Sequence, residues 1–410
     1  MATPSRGQTN ASRWFIGVMT GTSLDAIDVA IIELDESVTL GHVQPSVAMR
    51  HFYSRPLDHA MVDALIGLQA PSDNELHRAA LIANAYADTV SRTVLEALTV
   101  HGLPPHRITA IGVHGQTIRH QPQLGYSIQL NAPARIAETT GITVVSDFRS
   151  RDLAAGGQGA PLVPAFHRAI FANTDPNADA RSPHSSETAV TAIVNIGGIA
   201  NITWLGAPMF GYDTGPGNAL MDLWIRRHHG DAFDRDGAWA ATGTPHNALL
   251  SAMLGDPFFG FLPPRSTGRD LFSESWLQEF LSQSAFSQIS AKDVQATLAA
   301  LTAASIAQEI RRLETMPRHS GSAARCAEVL ICGGGARNTA LLNLLRSELK
   351  KRCGRAIDVQ STAVRGWDPQ TVEAAAFAWL AARSMDGQPG NDPQATGAAG
   401  PRVLGSITPA

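Results

Sequence analysis

An α/β fold in two domains is what this sequence predicts, and three observations carry that expectation. At 410 residues the chain exceeds what one ordinary hydrophobic core organises. Short β-branched runs bounded by glycine alternate with runs of helical period, the pattern of strands and helices layered on a sheet. A strand, a glycine turn and a second strand occur twice, in WFIGVMTGTSLDAIDVAIIEL and, roughly 180 residues later, in ETAVTAIVNIGGIANITWLG, so the chain reads as two related halves.

Taken in order, a polar leader gives way to WFIGVMT and AIDVAIIEL, two strands around a tight turn at Gly21, Thr22 and Ser23. NELHRAALIANAYADTVSRTVLEAL places apolar residues three and four apart and predicts a long helix, followed by a strand at ITAIGVHG. A strand YSIQL, a helix ARIAETTG and a strand ITVVSDF follow. Ala172 to Glu187, rich in Asp, Asn, Pro and Ser, reads as a surface insertion. After the second hairpin come helices at SWLQEFLSQ and ATLAALTAASIAQEIRRLE, then the strand AEVLICGGG. Its glycines precede ARNTALLNLLRSEL, an amphipathic helix with Asn338 or Thr339 placed to cap it. TVEAAAFAWLAARSM is the last long helix, and the Gly-, Pro- and Ala-rich tail beyond it is expected to be loosely ordered.

Composition excludes several classes. With 44% hydrophobic and 17% charged residues the chain is globular rather than disordered. A net charge of -4 with no long basic run recruits neither nucleic acid nor an anionic membrane, so a small-molecule partner is expected. Cys326, Cys332 and Cys353 form no CxxC pair and suit reduced thiols, with neither a disulfide framework nor a zinc site. MATPSRGQTNASR lacks the apolar core of a signal peptide and no stretch approaches the ~20 apolar residues of a membrane span, so a cytoplasmic protein is expected.

Four stretches invite chemistry. In GVMTGTSLDAID the turn amides and hydroxyls can cradle phosphates, with Asp25 or Asp28 oriented toward a hydrated Mg2+; the bland reading is a β-turn that needs Gly21. GxxxxGK[ST] is absent, so any nucleotide site works without a P-loop lysine. NIGGIANIT offers Gly197 and Gly198 with Asn195 and Asn201 beside them, suited equally to an anion and to a sheet bulge. In ICGGGARN, three glycines between a strand and a capped helix suit the ribose and phosphates of a nucleotide. SDFRSRDLAAGGQGAPLVP packs Asp147, Arg149, Arg151 and Asp152 into a glycine-rich loop fit to hold a carboxylate-bearing ligand, or simply its own salt bridges. HGQT, at a strand end, and PPRSTGRDLF, on a turn, remain open between ligand contact and structure.

GYDTGPGNALMD is the sharpest case, since it sets Asp213 on a turn built from Gly215, Pro216 and Gly217, immediately before a helix-like run. An aspartic-protease dyad needs a second DTG or DSG, which the chain lacks. A helix cap, worth about 1 kcal/mol, leaves the glycines and proline unexplained. A catalytic base is the remaining reading.

Together GVMTGTSLDAIDVA, GVHGQT, DFRSRDLAAGGQGAPLVP, VNIGGIANIT, DTGPGNALMD, PPRSTGRDLF and ICGGGARN resemble the anhydro-N-acetylmuramic acid kinase family, in the family's order and from Trp14 to about Arg383, with Ala26 where the family usually has glycine. The resemblance implies a two-domain actin-like ATPase (ribonuclease H-like) fold with a nucleotide cleft between the domains. The expected division is 1–140 plus 371–410 for the first domain and 141–370 for the second. It implies ATP and Mg2+ as cofactors, a small amino sugar as substrate, a homodimer, and a role in cell-wall recycling. It also implies roles for residues. Asp213 is the base. Gly21, Thr22, Ser23, Leu24, Asp25 and Asp28 hold phosphates, with Asp25 toward the metal; Gly197, Gly198 and Asn201 form the second phosphate turn; Gly333, Gly334, Gly335 and Asn338 border the adenosine; and Thr117, Arg149, Asp152 and Glu373 face the sugar. Two rivals remain, a conformational ATPase of the same fold and a sugar kinase whose Asp213 deprotonates a free hydroxyl.

Overall fold

The computed structural model describes residues 12–21, 24–35, 38–39, 42–43, 46–172, 187–268, 271–317 and 323–410. The expected insertion at 172–187 therefore lies almost wholly outside the described residues, as do Thr22, Ser23 and Arg269.

The first half supplies strands β1 (Arg13–Thr20), β2 (Ala26–Asp35), a two-residue pair β3 (Val38–Thr39) and β4 (His42–Val43), and β5 (Ser46–Pro56). Helices α1 (His59–Ile66) and α2 (Glu75–Val100) lead to β6 (Ile108–Val113), the hairpin β7 (Gln116–Gln121) and β8 (Tyr126–Leu130), α3 (Pro133–Thr140) and β9 (Val144–Ser146). After α4 (Ser150–Ala154) and α5 (Val163–Phe171), the second half runs through β10 (Glu187–Ile196), β11 (Ile199–Trp204), β12 (Phe210–Pro216), α6 (Ala219–His229), α7 (Asn247–Leu254), α8 (Glu274–Leu281) and α9 (Ala291–Thr315). It closes with β13 (Ala323–Cys332), α10 (Thr339–Cys353), β14 (Asp358–Ser361), α11 (Val372–Met385), α12 (Pro393–Thr396) and β15 (Ser406–Thr408).

The duplication is visible in the pairing. One sheet runs β15-β9-β6-β1-β2-β5 and the other β12-β11-β10-β13-β14. In each, three antiparallel strands are followed by two parallel ones. Leaving β15 aside, both have the order 3-2-1-4-5 in their own strands, which is the ribonuclease H-like arrangement doubled. β5, a third strand of the first sheet, was not foreseen, because its alternation of partly buried and exposed residues carries little apolar signal. YSIQL forms a strand as expected, but it pairs with β7 in a separate ribbon outside the main sheet.

Two expectations are corrected. β9 pairs parallel with β6, so the first sheet runs past residue 140 and takes residues assigned to the second domain. The C-terminal tail is ordered: β15 pairs antiparallel with β9, and Leu404 is buried. Alternation and turn residues are weak in a tail held by side-chain hydrogen bonds rather than by a strong apolar period.

Helix α11 joins the halves. A Cβ on Gly17 of β1 would lie 1.8 Å from the Ala374 carbonyl oxygen, and one on Gly112 of β6 would lie 2.0 Å from that of Phe377. Bare glycines on the sheet and alanines on the helix thus let the two backbones nearly touch. The same apolar cluster takes Phe15 and Ala110 from the first sheet and Ile193 and Leu330 from the second. In the second half α9, buried along most of its length, is the central helix beneath β11 and β12, as expected of a helix apolar on nearly every face.

Candidate functional site

Asp213 lies within β12, opposite Asn201 of β11, rather than on the turn that follows. It caps no helix: α6 begins at Ala219 after Asn218, and the first amides there are taken by the turn before β11, Asn218 N-H donating to the Gly197 carbonyl at 2.7 Å and Ala219 N-H to that of Gly198 at 3.2 Å. This answers why Gly217 is needed, since a Cβ there would sit 2.2 Å from the Gly197 oxygen. Instead, Oδ2 of Asp213 accepts the Thr267 amide at 2.8 Å. Burial pushes the carboxyl up to about 7 against the opposing pull of that amide, Arg265 and Arg149.

Arg149, just before α4, lies close enough to Asp213 and Glu373 to feel both charges. Its Nη1 donates to the Gly159 carbonyl at 2.6 Å and its Nη2 to Nε2 of His114 at 2.8 Å, while Nε has no partner among the described residues. Burial brings the guanidinium down to about 10, and the carboxylates around it oppose the fall. His114 is buried and held well below its ordinary value by desolvation and by Arg149, so it accepts this bond as a neutral ring.

A second acidic group gathers around Glu373. Glu373, in the first turn of α11, is raised to about 7 by burial and by Asp28, with Arg149 and a hydrogen bond from Asn195 opposing and Asp25 adding to the rise. Asp28 of β2 is raised to about 6 by burial, despite accepting from Ser54 Oγ at 2.6 Å, and Asp25 again adds to the rise. Carboxylates that raise one another in a shared cleft suit a divalent cation. Among the described residues no three His, Cys, Asp or Glu form a ready-made cage, so a cation there would rely on ligand oxygens and water as well, as Mg2+ commonly does.

Leu24 has φ 56 and its amide donates to the Gly21 carbonyl at 3.2 Å; Thr22 and Ser23 lie outside the described residues. Gly333, at φ 76, packs so close that a Cβ would meet Asn195 Oδ1 at 2.3 Å, whereas around Gly334 the nearest such atom is Asn218 Nδ2 at 3.7 Å. Space for a ligand is thus beside Gly334, while Gly333 and Gly335 serve close packing on β10. Asn338 caps α10, its Oδ1 accepting the Leu341 amide at 2.9 Å.

Two sugar-facing expectations resolve differently. Thr117 Oγ1 accepts from Gln129 Nε2 at 3.1 Å on the β7–β8 ribbon. Asp152 is wholly buried and fully engaged: Oδ2 accepts the Gly159 amide at 2.8 Å, and Oδ1 accepts Asn391 Nδ2 and Thr396 Oγ1, both at 2.7 Å. It therefore anchors the glycine loop to the C-terminal segment and offers no atom to a ligand, which corrects its expected sugar contact.

The family model for anhydro-N-acetylmuramic acid kinase matches residues 13–410. The chain belongs to the anhydro-N-acetylmuramic acid kinase family. It is 46% identical over 398 residues to an anhydro-N-acetylmuramic acid kinase of Burkholderia cenocepacia, with 96% of each chain covered. It is 46% identical to that of Bordetella petrii (97% of each) and 44% identical to that of Pseudomonas paraeruginosa (97% of this chain, 99% of the relative). It also resembles a ROK family glucokinase from Streptomyces griseus at 11% identity and TM-score 0.40, covering 90% of this chain and 98% of that one.

In this member of the anhydro-N-acetylmuramic acid kinase family, sequence reasoning missed the groups beside Asp213. Arg265 belongs to PPRSTGRDLF, whose sequence leaves ligand contact and structure equally open, and Glu309 of α9 carries no local signal. A Glu in a long Ala-rich helix reads as solvated, yet Glu309 is 1% exposed and Arg265 6%.

Proposed function

We propose that this chain hydrolytically opens the 1,6-anhydro ring of 1,6-anhydro-N-acetylmuramic acid and phosphorylates O6 with ATP, giving N-acetylmuramic acid 6-phosphate and ADP in peptidoglycan recycling. The observation that carries it is Asp213: a carboxylate fixed on a strand, facing Arg149, with its proton affinity lifted close to neutrality. A base poised near pH 7 is suited to taking a proton from water as that water attacks C1. In the bicyclic sugar O6 is tied to C1, so bond breaking at C1 frees O6 toward the γ-phosphate. Phosphoryl capture takes the place of the general acid, and one carboxylate serves where a glycosidase needs two.

Arg149, held by Gly159 and His114, is oriented for the substrate's carboxylate or the transferring phosphoryl group. Mg2+ would neutralise phosphate charge when bound, and Asp25 or Asp28 would hold it, directly or through water; Glu373, expected at the sugar, interacts with both and would join them at the metal in this reading. Gly21, Leu24, Gly197, Gly198, Asn201 and Gly334 line the nucleotide's approach in this reading. The wider assignment is a cytoplasmic homodimer in two domains; among the described residues no helix is long and apolar enough to cross a membrane.

ADP release on mixing with Mg-ATP and either the anhydro sugar or a free hexose tests the reading. Turnover with the anhydro sugar is expected; turnover with the hexose alone would favour a plain sugar kinase, and ADP release needing neither would favour a conformational ATPase.

A further inference from the structure

Beside Asp213 lies a buried cluster that ties β12 to α9. Asp213 and Arg265 hold each other through the backbone: the Asp213 amide donates to the Arg265 carbonyl at 3.2 Å, and Arg265 Nε donates to the Asp213 carbonyl at 3.0 Å. Arg265 Nη1 also donates to the carbonyls of Phe258 and Phe261, at 3.2 and 2.8 Å. Its Nη2 is 3.1 Å from Oε1 of Glu309. Oε2 of Glu309 accepts from the hydroxyl of Tyr212, the residue before Asp213, at 3.1 Å, and lies 3.3 Å from Arg312. Arg312 in turn donates to the Phe259 and Phe261 carbonyls at 2.9 and 2.7 Å.

Glu309 therefore touches the neighbour of Asp213 and the residue that clamps it, while reaching no ligand itself. Replacing a buried ion pair by apolar groups is often neutral or stabilising, so stability alone is a poor reason for this cluster. We propose that Arg265 and Glu309 are a positioning pair for Asp213, Arg265 clamping its backbone on β12 and placing a positive charge beside it, and Glu309 fixing Arg265 and moderating that charge. The proposal rests on the reading of Asp213 as the base.

The charged groups facing Asp213 are Arg265, from the loop after α7, and Arg149, from beside α4. Glu373 is governed chiefly by burial, Asp28, Arg149, Asn195 and Asp25. A change at Arg265, which acts on Asp213 directly, that moves the acidic limb of the pH–rate profile thus reports chiefly on Asp213.

The test uses the full-length enzyme with Mg-ATP and the anhydro sugar, with circular dichroism to show that each variant folds. R265M removes both clamp and charge: kcat is expected to fall roughly 10²-fold, the scale of an ångström's misplacement, with the KM for ATP unchanged and the acidic limb moved up by about 1 unit. E309Q keeps the shape and the Tyr212 bond but leaves the Arg265 charge uncompensated, so the limb moves down. R265K keeps the charge and loses the Nε bond, so kcat falls with the limb in place. Limbs that stay put in both R265M and E309Q, or move the same way, overturn the proposal, as does an R265K enzyme with wild-type kcat. A D213N enzyme with wild-type turnover would instead overturn the base reading itself, so the two failures are distinct.

Discussion

The amide of Thr267 donates to Oδ2 of Asp213 at 2.8 Å, from a loop 54 residues further along the chain. The bond fixes one carboxylate oxygen and leaves the other for a water. Asp213→Asn keeps the shape and removes the base. Turnover of the anhydro sugar is expected to fall about 10² to 10⁴-fold, while nucleotide affinity by calorimetry stays near that of the wild type. Near-normal turnover would reduce Asp213 to a structural acceptor.

The same variant has a stability signature. Asp213 rises from 3.8 to about 7 in the folded chain, so the folded state holds a proton that the unfolded chain gives up between those values. Stability from this group therefore grows as pH falls through 7 toward 4, and above 7 the buried charge is a cost. D213N is expected to melt higher than the wild type at pH 8, with the gap narrowing by pH 5. A gap that does not change with pH would place the ionisation elsewhere. Gaining stability while losing turnover is the usual exchange at a strained catalytic charge.

Asp152→Ala separates an anchor from a ligand contact. It strips partners from the Gly159 amide, Asn391 and Thr396 in a site closed to solvent. Stability is expected to drop by about 3 kcal/mol or more, read by urea unfolding. The KM for the sugar, measured on the folded fraction at low temperature, should change little. A large KM effect without loss of stability would return Asp152 to the substrate.

How much of this was legible follows from where each signal resides. The hairpins around Gly21 and Gly197 and the glycines at 333–335 announce themselves, because turns and close approaches need glycine locally. Asp213 stood out for the glycines and proline around it, though its strand was hidden by the short, polar run GYDTGP. Asp152 misled because a loop dense in charge looks the same whether its carboxylates face a ligand or a buried amide. Only the long-range contacts to Asn391 and Thr396, some 239 and 244 residues away, decide between them. Glu309 and Arg265 were invisible for the same reason, since pairing across β12, α9 and a loop has no local period.

Gly17→Ala tests the fit of α11 on the first sheet. The new methyl would occupy space held by the Ala374 carbonyl and Ala378 amide, at 1.8 and 2.4 Å, so the helix must shift or the sheet open. Overpacking of this kind costs typically 1–3 kcal/mol, and here the displaced turn carries Glu373. Weaker Mg-ATP binding is expected alongside a lower Tm, both read in one thermal-shift titration. A stable protein with unaltered nucleotide affinity would show that α11 does not set the position of Glu373.

His114→Leu keeps volume near the Phe377 ring, 4.7 Å away between centroids, and removes the acceptor for Arg149. A hydrogen bond to a charged group is worth about 1.5–3 kcal/mol, so kcat/KM for the sugar should fall roughly 10 to 100-fold, with H114Q, which retains an acceptor, recovering part of it. The pH dependence has a definite sign. Because the folded ring is held well below 6.5, the unfolded chain binds this proton first, and native stability is lost as pH drops beneath 6.5. His167, depressed to about 3 by burial, acts in the same direction, while Asp213 and Glu373, both raised to about 7, act in the opposite one. Removing His114 should therefore tilt the balance, making the Tm of H114L fall less, or rise more, between pH 7 and 5 than that of the wild type. Parallel Tm curves would mean that the ring is not held neutral by burial and Arg149, and the orientation of that guanidinium would need another cause.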